Sequence, residues 1–244
     1  MTISEYINRE KEKMKDKSWK ERLAYFWDYY KWYILIGLFA LVLIGQTVVT
    51  KCNQKDAVMK GILIDAVEPL EAPAIVQTFY ASNGVDPSKE EIVLDTGFSL
   101  NSDLPDVVST SYKMIHARVG AQDTDFVMGY EYAIQRLAYD SSRMFADLRE
   151  VISAETLARL EGHIYYIDSS VLETIKKSPT EAIPIPDPQK PENMVDPVPV
   201  AVDVSACSEF ISAYYDSDQT IYIAVVTNSP HREFAMRFVE LLLS

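Results

Sequence analysis

The side chains best placed to do chemistry are polar residues that follow short apolar runs. They are Asp65 and Glu68, Asp95 and Thr96, Tyr130 and Glu131, Asp203 and Ser205, and Thr227 and Asn228. In an open parallel α/β sheet the carboxyl ends of the strands gather along one edge, and ligands bind where the strand order reverses. Carboxylates converging at such an edge attract a cationic or amine-bearing ligand. Glu131 and Asp203 are the pair expected to hold an ammonium group. Taken singly, each of these residues also fits an ordinary cap or turn position.

Other chemistries find little to use. The histidines, His116, His163 and His231, fall on separate elements, without H-E-x-x-H or a Cys/His spacing for zinc. The eight glycines form neither G-x-G-x-x-G nor a phosphate-binding G-x-x-x-x-G-K-[ST] loop, and no G-x-S-x-G elbow is present. Asp123 and Asp125, and Asp216 and Asp218, read as acidic turns in preference to a calcium loop. No metal, cofactor or catalytic activity is therefore expected. A net charge of -13 argues against nucleic-acid binding through phosphate attraction. With two cysteines, Cys52 and Cys207, a disulfide framework is excluded, although one extracellular pairing stays open.

The positioning elements alternate. Residues 58–67 read as a strand that stops at Glu68-Pro69, and a helical pattern follows through Ala74, Ile75, Thr78 and Phe79. Strands at 92–95 and 125–129 alternate with helices at about 106–119 and 131–139. Ser153 caps a short helix that Gly162 ends, a strand spans 163–167, and a helix covers 171–177. Seven of the twelve prolines lie between 179 and 199, which excludes a helix or a central strand there. A strand at 198–205, a helix from Cys207, a strand at 220–228 and a helix opened by Ser229-Pro230 close the chain. In the last helix Phe234, Phe238, Leu241 and Leu242 share one face, which marks it as part of the core. The pattern predicts an α/β domain with a mainly parallel sheet flanked by helices.

Ahead of this domain, Trp32 to Thr50 are nineteen uncharged residues, about 28 Å of helix, which matches a bilayer's hydrocarbon core. Eight basic residues precede it (Arg9, Lys11, Lys13, Lys15, Lys17, Lys20, Arg22, Lys31), and the positive-inside bias places the N-terminus in the cytoplasm. TVVTKC after the run lacks a small-x-small cleavage pattern, and Lys51 stands where a lipobox needs a small residue, so an uncleaved anchor is expected. Trp27, Tyr30, Trp32 and Tyr33 fit the aromatic layer at the headgroups of the lipid bilayer; the basic and aromatic arm also suits docking of a membrane partner. The expected organisation is a cytoplasmic arm (1–31), a transmembrane helix (32–50), a linker (51–57) and an extracellular α/β domain (58–244).

Three segments, TDFVMGYEYAIQRLA, FADLREVISAETLARL and TIYIAVVTNSPHREFAMRFVELLL, together resemble extracellular, periplasmic-type solute-binding proteins. With the YYKWYIL anchor, the chain looks like a Firmicute single-pass membrane protein carrying such a domain. The resemblance implies a reduced periplasmic-binding-protein-like fold that binds or senses a small solute without catalysis. The other expectation is a degenerate binding fold that serves as an envelope scaffold, holding membrane or envelope proteins. All three tryptophans belong to the anchor region, which disfavours a sugar ligand.

Overall fold

The structure, a computed structural model, describes residues 18–53, 55–140, 143–178, 183–216 and 218–244. The chain divides into two units, Met1–Gln54 and Lys55–Ser244. Among the described residues the first contains one helix, α1 (Trp19–Asn53), 35 residues or about 52 Å long. Within it Tyr30–Thr47 is long and apolar enough to cross a membrane, and none of that window is buried by the protein. The basic residues Arg9 to Lys17, and the side chains of Arg22, Tyr25, Phe26, Tyr29 and Cys52, lie outside the described residues. The helix continues through Asn53 and the first strand opens at Asp56.

The second unit is a three-layer α/β domain. Its strands are β1 (Asp56–Ile64), β2 (Glu90–Phe98), β3 (Phe126–Tyr130), β4 (Ile164–Asp168), β5 (Pro197–Asp203) and β6 (Ile221–Val225). The helices are α2 (Ala74–Asn83), α3 (Pro105–Gly120), α4 (Glu131–Ala138), α5 (Leu148–Val151), α6 (Ala154–Arg159), α7 (Ser169–Lys177), α8 (Ser208–Tyr214) and α9 (Arg232–Leu242). Pro105 fixes the start of α3, and Gly84, in a left-handed conformation, ends α2.

The six strands form one sheet in the order β2-β1-β3-β6-β5-β4. β1 pairs in parallel with β2 and β3, whereas β3–β6, β6–β5 and β5–β4 are antiparallel. The expected mainly parallel sheet is therefore corrected to a mixed one, with β4 and β6 reversed. Apolar runs reveal a buried strand but not its direction. β1 and β3 approach closely because residue 61 is glycine: a Cβ there would collide with the Phe126 ring.

Helices cover both faces of the sheet. On one, Phe79 of α2, Phe210 of α8 and Phe238 of α9 pack with Phe126 of β3, and all four rings are fully buried. On the other, Ile115 of α3 and Ile134 and Leu137 of α4, with Val171 and Ile175 of α7, cover Ile62, Val127 and Ala224. The connection through α2 and that through α3 thus lie on opposite faces, which makes the gap between β1 and β3 the point where the strand order reverses.

Candidate functional site

The reversal point is occupied by Asp65, which follows β1 with φ 54°. This left-handed conformation, uncommon outside glycine, turns the chain out of the strand and directs the carboxylate along the sheet edge. That carboxylate accepts hydrogen bonds from the Ser99 hydroxyl, the Tyr132 hydroxyl and the backbone N–H groups of Leu100 and Asn101. Tyr130 stacks on Tyr132 with ring centres 5.8 Å apart and meets Tyr215 edge-on at 5.4 Å. Burial, followed by the neighbouring Asp65 carboxylate, pushes the Tyr132 phenol upward, and burial does the same to Tyr215. Both hydroxyls stay protonated, so Tyr132 serves as a hydrogen-bond donor. The ties to Asp65 join the loops after β1 and β2 to the start of α4.

The remaining predicted residues are only partly brought together. Glu131 begins α4 and Asp203 ends β5, and both bear electrostatically on Tyr222 of β6, which lies between their strands. Asp203 accepts from Ser205 N–H at 2.9 Å and has His163 Nδ1 at 3.5 Å. Glu131 lines an open depression of about 510 Å³ with Tyr132, Gln135 and Asp218, next to one of about 490 Å³ that includes Tyr215 and Asp216. Glu68 is exposed in the loop after β1.

Asp95 lies inside β2, where it pairs with Arg118 of α3 at 2.7 Å. Asn228 lies at the opposite edge, because β6 is antiparallel to β3. It donates to the Val119 carbonyl at 2.7 Å, and Ser229 turns its hydroxyl to Asp125. That turn displaces the expected helix start from Ser229-Pro230 to Arg232. Asp125, fully buried, also accepts from the N–H groups of Lys60 and His231, so it is a structural clasp. Among the described residues Cys207 is a free thiol, and no group of three or more His, Cys, Asp or Glu is placed to hold a metal ion.

A more enclosed cavity, which sequence reasoning missed, opens where the sheet forks. β5 and β6 pair over only two positions, Val202↔Ile223 and Asp203↔Tyr222. Beyond them Met144–Ala146 takes over the flank of β6: Phe145 bridges Val226, Ala146 N–H donates to Val225 O at 2.9 Å, and Thr227 N–H donates to Met144 O at 2.9 Å. β5 diverges toward β4, leaving a cavity of about 340 Å³. Its apolar floor is Ala138, Phe145, Ile167, Leu172, Val198 and Val200.

Charged groups form the rim. Arg149 grips Asp147 through Nε at 2.9 Å and Nη2 at 2.6 Å. Burial opposes the charge on Asp147, but the side-chain and backbone hydrogen bonds from Arg149 outweigh it and hold the carboxyl below its usual range. The Asp147 contact in turn raises Arg149 and secures its charge. Arg143, at φ 50°, is tied by Thr227 Oγ1 donating to its carbonyl and reaches Glu173 at 3.1 Å. Asp196 accepts from Ser169, and Glu150 lies near enough to Arg149 to reinforce its charge. An amphipathic cavity of this size falls within the range that small-molecule sites occupy.

No family model, curated protein or solved structure matches the chain.

Proposed function

We propose that this chain is a single-pass membrane protein, N-terminus in the cytoplasm, whose α/β domain lies outside the cell and captures or senses a small solute without catalysis. The observation that carries this reading is the fork cavity, which combines an apolar floor with converging charged groups. Resemblance to solute-binding proteins supports the same class of function, with a single α/β lobe standing for a reduced form of that fold. The cavity, away from the edge where β1 and β3 end, is the seat we assign.

The test uses the full chain in lipid nanodiscs, with unfolding followed by circular dichroism against amino acids, short peptides, polyamines and sugars. A ligand at about 100 times its dissociation constant adds roughly 2.7 kcal/mol to native stability. At least one member of the panel is expected to give a saturable upward shift that Val198→Phe, which fills a half-buried part of the cavity, removes while the fold persists. No shift from any member overturns the reading. One observation favours an interaction module instead: Val67, Leu70 and Leu104, in the loops after β1 and β2, are exposed. A flat panel together with capture of an envelope protein that Leu70→Asp abolishes would establish that second reading.

A further inference from the structure

The cavity rim holds both signs of charge with binding capacity to spare. Among the described residues Arg143 uses Nη2 on Glu173, which leaves Nε and Nη1 as donors, and Arg149 uses Nε and Nη2 on Asp147, which leaves Nη1. Opposite in sign, Asp196 accepts from Ser169 through Oδ2 and, among the described residues, retains Oδ1, and the Glu150 carboxylate accepts no hydrogen bond among them. A ligand that is only anionic would be repelled by Glu150 and Asp196, and one that is only cationic by the two guanidinium groups. Either arrangement costs affinity, because the ligand's charge is repelled by the like charges of the rim. The apolar floor offers the hydroxyls on that side of a sugar no partner.

Resting on the solute-binding reading, we infer that the fork cavity takes a small zwitterion, an α-amino acid with an aliphatic side chain. Its carboxylate meets the free N–H groups of Arg143 and Arg149, its ammonium meets Glu150 and Asp196, and its side chain lies on Ile167, Leu172 and Val198. Guanidinium is suited to the carboxylate because its planar N–H fork matches two oxygens. The cavity of about 340 Å³ admits one amino acid, whereas a long peptide is excluded from full burial.

The experiment is isothermal titration of the full chain in nanodiscs with L-leucine, 4-methylpentanoate, isopentylamine and spermidine. L-Leucine is expected to bind saturably, and each singly charged analogue at least tenfold more weakly. Arg143→Gln, at an exposed side chain, is expected to weaken L-leucine at least tenfold and not to weaken isopentylamine. Glu150→Gln, also exposed, is expected to weaken L-leucine and isopentylamine but not 4-methylpentanoate. Equal affinity for L-leucine and either analogue, or L-leucine binding that both variants leave intact, overturns the assignment. Saturable spermidine binding that Val198→Phe blocks, with none of L-leucine, overturns the zwitterion and leaves the solute-binding reading standing. Silence across the wider panel overturns both.

Discussion

Asp168, at the end of β4, is 2% exposed and ionised. Burial opposes its charge, but hydrogen bonds from Ser170 Oγ and the N–H groups of Val195, Ser170 and Asp196 prevail, and its carboxyl is held below the usual range. A carboxyl whose folded-state value is depressed stabilises the fold above its unfolded value, about pH 4, and loses that contribution as pH falls. Asp168→Asn is therefore expected to cost about 2–3 kcal/mol near neutral pH, with the deficit shrinking in acid, measured by urea unfolding at pH 7 and pH 3. Sequence offered no sign of this role, since the donors Val195 and Asp196 come from within the proline-rich connection, near its end. Asp65 was legible as a residue at a strand end, but its partners Ser99 and Tyr132 were not. Those contacts depend on which strands neighbour β1.

Helices and strands were largely legible as elements. The apolar faces of α3, α4 and α9 recur at helical spacing, and proline, glycine and serine mark several ends. In α9 the expectation extends to energetics. Phe238 is fully buried, with ring centres 5.5 Å from Phe79, 5.5 Å from Phe126 and 5.6 Å from Phe210. Phe238→Ala is expected to destabilise the domain by about 3–5 kcal/mol, whereas Glu240→Ala on the exposed side changes it by less than about 0.5 kcal/mol; chemical denaturation of both variants decides. Strand direction was not legible. β4 and β6 are as apolar as the strands they pair with, and only pairing reveals that they run backwards. That reversal moves Asn228 away from Asp65 and Glu131. The short helix α5, capped by Asp147 accepting from Arg149 N–H, is too brief to carry a period, and it supplies part of the cavity rim.

At the scale of the whole molecule, the expected topology is directly measurable. In intact cells an impermeant maleimide is expected to label Ser244→Cys, in a background with Cys52→Ser and Cys207→Ser, and to spare Thr2→Cys until the membrane is opened. The reverse pattern would invert the protein and remove the extracellular solute from the proposal. Composition and order along the chain determined the apolar helix near the N-terminus, the acidic character of the α/β domain and its succession of strands and helices. These arise from local hydrophobicity, charge and backbone preference, which each residue carries with it. Tertiary structure alone decided the strand order, the directions of β4 and β6, the clasp around Asp125 and the fork that Met144–Ala146 fills. Those depend on contacts between residues up to about a hundred positions apart, such as Asp125 with His231 and Asn228 with Val119, and no local pattern encodes which distant strands meet.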